Sequence, residues 1–254
     1  MIKTASAILL TSSLYFTSSA SSATLLAGWD TFGNNTNTAS NFYIGTQDPN
    51  VAADILASGI TATLSDEGGA GTDDIIRDIR TGAASTDGSF GSLFPGMAST
   101  TAGQLRFGNI NTASASGDVF LNVSNTDGTG QTIEFVNVLF DLRSQTTNDN
   151  ITHNAYSVSF ENITLGTAPI LLGTPGSVPS DGSDTNVDVD ASLATLADGE
   201  DGRFIITFSG STNPNSSSFL DNIGISGDFV PVPEPSSLTF LALGGLAFAR
   251  RRRA

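Results

Sequence analysis

The chain has 254 residues, of which 10 are basic and 25 acidic, and its formal charge at pH 7 is −15. It has no cysteine and one histidine, His153, which excludes disulfides, thiolate chemistry, cysteine zinc sites and metal centres built from several histidines. The acidic balance repels nucleic acid and anionic membrane surfaces, so no nucleic-acid partner is expected.

The N-terminus has the composition of an export signal. Lys3 supplies the positive start, residues 5–16 form an apolar stretch, and a Ser-rich region of small residues follows. Two cleavage positions are open, after Ala20 or after Ala23. Residues 1–23 are therefore predicted to be a signal peptide.

Between residues 24 and 231 the apolar residues recur with a period of two, in short runs separated by Gly, Asn, Asp, Ser and Thr. This pattern is typical of half-buried strands. Nine strands are predicted, at residues 24–32, 60–64, 104–110, 118–123, 132–142, 156–165, 170–172, 203–209 and 219–226. Helical signals are limited to residues 50–58 and 72–80, each long enough for two turns at most, with Asp73 and Asp74 well placed for a helix N-terminus. The whole predicts one all-β domain, an antiparallel β-sandwich of jelly-roll type.

The clearest local connection is the segment NTDGTG that ends at Gly130. Its Asp-Gly pair offers the positive φ angles that a tight hairpin needs. The two flanking strands are therefore predicted to pair antiparallel with each other. Phe120 and Val138 are then predicted core residues.

Residues 181–201 carry seven acidic side chains in 21 positions. Four polar residues of this stretch alternate: Asp184, Asn186, Asp188 and Asp190. On a strand they share one face, whereas on a loop their oxygens converge on a hard cation such as calcium. An EF-hand is excluded, because Val189 stands where that loop needs glycine. A solvated acidic face is the first interpretation, and a calcium site that includes Asp184, Asp188 and Asp190 is the alternative.

Sugar binding needs an exposed aromatic side chain, and the candidates are Trp29, Tyr43 and Tyr156. Trp29 shares a predicted strand face with Leu25 and Ala27, which favours a position in the core.

Catalytic signals are weak. No spacing isolates a pair of carboxylates for glycoside hydrolysis, and His153 lies in a polar context without a GxSxG partner. The chain is therefore predicted not to be an enzyme.

The C-terminus has three parts: Pro233-Glu234-Pro235, twelve mainly apolar residues from Leu238 to Ala249, and Arg250, Arg251, Arg252 and Arg253. A helix over the apolar run is about 18 Å long. A bilayer core is about 30 Å thick, so the run is a short membrane anchor. The arginines hold the C-terminus on the cytoplasmic side and leave the domain outside.

These three parts in this order, together with the N-terminal signal, resemble the PEP-CTERM sorting domain of Gram-negative bacteria. The resemblance implies recognition by an exosortase, a membrane-embedded transpeptidase with a cysteine nucleophile, and then release or attachment at the cell surface. Residues 232–254 are interpreted as this sorting segment, and a plain membrane anchor is the alternative.

A second resemblance covers residues 196–229, which are similar to the closing strands of jelly-roll domains in other PEP-CTERM surface proteins. Within them, FLDNIGISG resembles the last strand of lectin-like and carbohydrate-binding sandwiches. In such domains an acidic residue of the last strand sometimes joins a structural calcium site with residues of the first strand, which nominates Asp221 and Asp30. The other interpretation is an exposed polar pair, Asp221-Asn222, at a strand bend.

We therefore expect a non-catalytic exported protein of the bacterial cell surface or extracellular matrix, with a structural or adhesive role. Its partners are the export machinery, an exosortase and, through the C-terminal helix before processing, the inner membrane. No cofactor is required. The alternative is a carbohydrate-binding module, with or without calcium, whose partner is extracellular polysaccharide.

Overall fold

The computed structural model describes residues 23–32, 51–66, 76–81, 88–100, 103–107, 116–144, 154–179, 182–210 and 218–231. These ranges contain fourteen strands and no α-helix. The strands are β1 (Thr24–Trp29), β2 (Val51–Ala52), β3 (Ile55–Leu56), β4 (Ile60–Asp66), β5 (Ile76–Thr81), β6 (Gly103–Phe107), β7 (Ser116–Asn125), β8 (Gln131–Ser144), β9 (Ala155–Asn162), β10 (Ile170–Ser177), β11 (Asp184–Asp190), β12 (Thr195–Leu196), β13 (Asp201–Ser209) and β14 (Ser218–Pro231).

The strands form two antiparallel sheets. The first sheet has the order β11-β8-β14-β1-β3, with β12 beside β8 and with β6 and β5 continuing from β14. The second sheet has the order β10-β9-β13-β7-β4-β2. From β7 to β9, and again from β11 through β13 to β14, the chain crosses repeatedly between the sheets, as in jelly rolls. The predicted antiparallel β-sandwich is confirmed, and each of the nine predicted strands is present.

The core lies between the sheets because alternate residues of each strand point inward. On β13 the buried positions Phe204, Ile206 and Phe208 follow this period of two. Phe204 meets Phe135 of the first sheet edge-on, with ring centroids 4.9 Å apart, and Phe208 lies 4.1 Å from Phe107. Each such side chain contributes about 1.5–3 kcal/mol on burial, so the fold rests on its core.

The predicted hairpin at the NTDGTG segment is wrong. β7 pairs with β13 and β4 in the second sheet, and β8 pairs with β11 and β14 in the first. Of the Asp-Gly pair only Gly128 has the expected positive φ angle, 69°, and a second positive φ, 77°, lies at Gly130. The five residues between the strands are enough to cross the roughly 10 Å between packed sheets. The turn therefore joins two layers.

Because β7 and β8 lie in different sheets, one of the two predicted core residues is also wrong. Val138 is fully buried as expected. On β7, however, the buried residues are Val119, Leu121 and Val123, so Phe120 lies on the opposite, outer face of the second sheet and is only half-buried.

The two predicted helices are wrong as well. Residues 51–52 and 55–56 form β2 and β3, which pair with β4 and β1, and Ile76–Thr81 forms β5 beside β6. Sheet pairing at the edges outweighs a weak local helical signal of two turns. Asp73 and Asp74 lie outside the described residues.

β14 is the central strand of the first sheet. One of its edges pairs with β8, and its other edge passes from β6, at residues 218–220, to β1, at residues 223–227. Where the partner changes, the strand bulges between Asp221 and Gly224, and Asn222 in this bulge has a φ of 47°. The bulge thus marks the point at which this edge of β14 changes its partner from β6 to β1.

Residues 88–100, here called the strap, pack on the outer face of the first sheet. Phe90 forms a second, smaller core with Leu25 and Leu139. Its ring lies so close to the sheet that a Cβ atom added at Gly224 would come within 3.1 Å of it. The first sheet is therefore covered on both faces at this point.

Within the described ranges, no helix is long and apolar enough to cross a membrane. Residues 1–22 of the predicted signal peptide and the predicted sorting segment 232–254 lie outside these ranges.

Candidate functional site

The sorting segment joins the sandwich at one end, here called the tail end. β14 ends at Pro231, which pairs with Gln131, and the Pro-Glu-Pro triplet begins two residues later. β1 begins at Thr24 beside Gly227 of β14. Because β1 and β14 are antiparallel neighbours, the predicted signal peptide and the sorting segment both join the domain at the tail end.

Asn125 ties the tail end together. It is fully buried, and its Nδ2 donates to the backbone oxygens of Gln131 and Leu196 at 2.9 and 3.0 Å. Its Oδ1 accepts from the backbone nitrogen of Asp127 at 3.2 Å. One side chain therefore joins the turn between β7 and β8 to the segment before β13.

Two acidic residues of the 181–201 stretch hold the same turns. Asp198 accepts from the backbone nitrogens of Gly128 and Gly130, at 2.9 and 3.0 Å. Glu200 Oε2 accepts from Asn162 Nδ2 at 2.8 Å and from the backbone nitrogen of Ala197 at 2.9 Å. These carboxylates have a structural role that their spacing in the sequence does not reveal, since their partners lie as far as 70 residues away.

A second polar surface lies on the outer face of the second sheet. Arg203 Nε donates to Glu161 Oε1 at 2.7 Å, and its guanidinium lies 4.2 Å from the ring centroid of Phe120. Asn122, the register partner of Arg203 on β7, donates to Ser65 Oγ at 3.0 Å. The surface combines an aromatic ring with groups that donate to and accept from hydroxyls. The sequence pattern does not indicate this surface, because the hairpin predicted between β7 and β8 places Phe120 in the core.

The residues nominated by the calcium resemblance, Asp221 and Asp30, lie at the junction of β1, β8 and β14. In the part of the chain that the structure describes, however, they do not belong to a group of three or more acidic side chains that could hold a metal ion. Asp221 and Asp141 are register partners, and Asn222 Nδ2 donates to Asp141 Oδ2 at 2.6 Å. Asp30 follows Trp29, the register partner of Ile223, so it lies next to the bulge. All four polar residues are buried. The prediction of an exposed Asp221-Asn222 pair is therefore wrong.

Asp30 is held by the strap. Its Oδ2 accepts from the backbone nitrogen of Ser99 at 2.8 Å. Burial raises the pKa of Asp30, and the charge of Asp54 adds to the increase, while the hydrogen bond from Ser99 opposes it. Asp54 itself accepts from the backbone nitrogens of residues 30–32, which closes the loop after β1.

The other predicted metal ligands do not converge. Asp184, Asp188 and Asp190 lie on the exposed side of β11 at intervals of about 6.6 Å per two residues. Asp184 pairs with Arg143 at 3.6 Å and Asp188 accepts from Ser92 Oγ of the strap at 2.7 Å.

Asp190 differs from these two in having a local partner. Hydrogen bonds from Ser192 lower the pKa of Asp190. Among the described residues there is no group of three or more acidic or histidine side chains that could hold a metal ion. Calcium binding therefore stays a prediction.

The prediction that Trp29 lies in the core is confirmed, and the alternative, in which it binds a ligand, is wrong. Its side chain is fully buried, and its Nε1 donates to the backbone oxygen of Val51 at 2.9 Å, so the ring is not an exposed platform. Tyr156 is half-buried and meets Phe140 edge-on at 5.4 Å, and burial raises its pKa. Tyr43 and His153 lie outside the described residues.

Residues 231–253 match a family model described as the PEP-CTERM protein-sorting motif. The chain thus carries a PEP-CTERM sorting tail, which indicates an exported protein sorted to the cell envelope. The match includes Pro233, Glu234, Pro235 and the four arginines 250–253. No curated protein is similar enough to this chain to count as a relative.

Several solved β-rich structures are similar at low identity. TmCBM61, solved with β-1,4-galactotriose, is 8% identical over 66% of this chain and 88% of that one, with a TM-score of 0.36. The CBM22-1 xylan-binding domain of Paenibacillus barcinonensis Xyn10C is 10% identical over 85% of this chain and 100% of that one, with a TM-score of 0.35. The K1 cleaved adhesin domain of Lys-gingipain from Porphyromonas gingivalis W83 is 13% identical over 68% and 93%, with a TM-score of 0.34. The fold assignment rests on the strand pairing of this chain.

Proposed function

We propose that this chain is a non-catalytic surface or matrix protein that its C-terminal helix anchors in the inner membrane until an exosortase processes it near Pro233-Glu234-Pro235. The observation that carries the proposal is the sorting motif at residues 231–253, which begins at the last residue of β14. No further domain lies between the central strand and the motif, so the β-sandwich is the part that processing delivers to the surface.

The acidic residues support a structural role. Asp54, Asp188, Asp198 and Glu200 accept hydrogen bonds that hold loops and the strap in place. The body between the two ends has five basic and 24 acidic residues, and this charge favours solubility outside the cell.

Intact mass spectrometry of the protein purified from its own host tests the proposal. We expect mass to be lost at both ends, near Ala23 and near Pro233. Glu234→Gln should leave an unprocessed tail, while the matched control Glu134→Gln, on an exposed position of β8, should be processed normally. A wild-type protein that keeps Arg253-Ala254 would instead make the tail a plain anchor.

Polysaccharide binding is a second candidate function, favoured by the outer face of the second sheet. There the Arg203 guanidinium lies over the half-buried Phe120 ring and is hydrogen-bonded to the Glu161 carboxylate. A sugar offers hydroxyls for the charged groups and C–H faces for an apolar ring. This surface replaces Trp29, which is buried, as the candidate platform.

Affinity electrophoresis in gels that contain the host polysaccharide tests this second function. Arg203→Ala should remove the retardation of the protein. The matched control Arg143→Ala, which breaks an arginine–aspartate pair on the first sheet, should leave it unchanged. Equal retardation of both variants would exclude this face as the binding surface.

A further inference from the structure

The turn between β9 and β10 exposes two large aliphatic side chains. Ile163 is 46% exposed and Leu165 is 64% exposed. On β10, which follows, Ile170 and Leu171 are also exposed. Half of the exposed large hydrophobic residues in the described part of the chain thus lie within nine consecutive positions.

The turn is held in one conformation by polar contacts. Asn162 Oδ1 accepts from the backbone nitrogen of Leu165 at 2.9 Å, and the backbone nitrogen of Ile163 donates to the backbone oxygen of Asp201 at 2.9 Å. Thr164 Oγ1 accepts from the backbone nitrogen of Asp201 at 2.8 Å. The polar groups of the turn point towards the domain, and the two aliphatic side chains remain in solvent.

The turn lies at the tail end. Asn162 pairs with Gly202, next to the Glu200 side chain that it contacts, and Asn125 N donates to the Glu200 backbone oxygen. Asn125 in turn bonds Gln131, the partner of Pro231. The exposed aliphatic turn and the exit of the sorting tail are therefore on the same end of the sandwich.

The tail limits how far this end can be from the membrane. Six residues separate Pro231 from Leu238, where the apolar run begins, and the seven Cα–Cα steps between these two residues span at most about 25 Å when extended. Before the signal peptide is removed, a second membrane segment joins the same end through Thr24. The tail end is thus held close to the bilayer for as long as the tail is inserted.

We propose that the turn formed by residues 163–167 is a bilayer contact, which inserts Ile163 and Leu165 into the headgroup boundary while the precursor is anchored. This inference rests on the proposed function, because the sorting tail supplies the anchor. The strongly acidic body is repelled by anionic lipid, so apolar insertion supplies the attraction. The contact orients the Pro-Glu-Pro triplet at the membrane surface for processing.

The absence of cysteine makes single-cysteine labelling specific. Full-length Leu165→Cys, labelled with an environment-sensitive dye, is reconstituted through its tail into vesicles of phosphatidylethanolamine and phosphatidylglycerol that carry a quencher in the acyl chains. The matched control is Leu193→Cys, because Leu193 is a leucine that is 70% exposed, between β11 and β12. Flotation reports tail insertion, and circular dichroism reports folding.

The dye at position 165 should be quenched roughly twofold more than the dye at position 193, and Ile163→Ser in the same chain should abolish the difference. Equal quenching in floated, folded protein overturns the bilayer contact and leaves the sorting proposal intact. Quenching at position 165 that depends on protein concentration indicates contact between two copies and also overturns it. Failure of the wild-type chain to float contradicts the anchor itself, and with it both proposals.

Discussion

Asn222 donates from its side-chain nitrogen to Oδ2 of Asp141 at 2.6 Å, and this bond joins the bulge of β14 to β8. Both residues are buried, and the backbone of Asn222 is in the left-handed region, with a φ of 47°. Asparagine suits the position because it tolerates this conformation better than other non-glycine residues and supplies the donor.

We expect Asn222→Ala to lower the free energy of unfolding by about 3 kcal/mol. The substitution removes a hydrogen bond to a carboxylate, and it places alanine, which has no polar side chain to bond the local backbone, in the left-handed region. Asn222→Gly removes the hydrogen bond but relieves the backbone. It should therefore be about 1 kcal/mol less destabilising. Urea unfolding monitored by circular dichroism measures both values. Equal losses would show that the backbone conformation contributes nothing.

The raised pKa of Asp30 predicts that the stability of the fold depends on pH. Burial raises its pKa, so the folded state binds this proton more tightly than the unfolded chain, and the ionised carboxylate lowers stability once the pH exceeds the ordinary carboxyl value. Asp30→Asn removes the charge and keeps an oxygen for Ser99. The melting temperature of the variant relative to wild type should therefore increase from pH 3.5 to pH 7.

Asp190 is the control of opposite sign for that measurement. Hydrogen bonds from Ser192 lower its pKa, so its contribution to stability is present above the unfolded pKa and is lost as the pH falls through the folded value. The melting temperature of Asp190→Asn relative to wild type should decrease from pH 3.5 to pH 7. If the melting temperatures of both variants relative to wild type changed in the same direction with pH, one of the two pKa shifts would be wrong.

Asn125→Ala is expected to loosen the tail end. It leaves two backbone oxygens, of Gln131 and Leu196, without a buried donor, which costs about 2–4 kcal/mol in unfolding free energy. Asn122→Ala, on the outer face of the second sheet, should cost less than about 1 kcal/mol, because its hydrogen bond is half-exposed. Guanidinium unfolding compares the two, and amide exchange at Gly128 and Gly130 shows whether the turn opens.

Trp29→Phe should lower stability by about 2 kcal/mol, because it removes the hydrogen bond to Val51 and leaves unfilled volume in the core. It should not change retardation in polysaccharide gels at temperatures well below unfolding. A loss of retardation in folded Trp29→Phe would restore this residue as a ligand-binding candidate.

Local patterns predicted the strands well and their partners poorly. The period of two located β7 and β8, and glycine placed the turn between them correctly. The pairing failed because a five-residue turn suits either a hairpin or a crossing between layers, and the choice depends on β13 and β14, which follow much later in the chain. The prediction of Phe120 as a core residue is wrong for the same reason.

The candidate surfaces likewise depend on contacts between residues that are distant in the chain. The turn that exposes Ile163 and Leu165 is held by hydrogen bonds from the backbone nitrogens of Ile163 and Thr164 to Asp201, 38 and 37 positions away. The face of Arg203 and Phe120 exists only once β13 lies beside β7. The polar pair Asp221-Asn222 is typical of an exposed bend, but in the structure both residues are buried where β14 lies between β1, β6 and β8.

By itself, the sequence determined the all-β class, the lack of disulfides and the sorting tail at residues 231–253, since these depend on composition and on patterns that adjacent residues carry. Only the tertiary structure decided which acids are buried, which aromatic ring reaches the surface and that both chain ends leave from one side. Those properties depend on pairing between strands that are distant in the chain. Such pairs are stabilised only when the two sheets form and pack against each other.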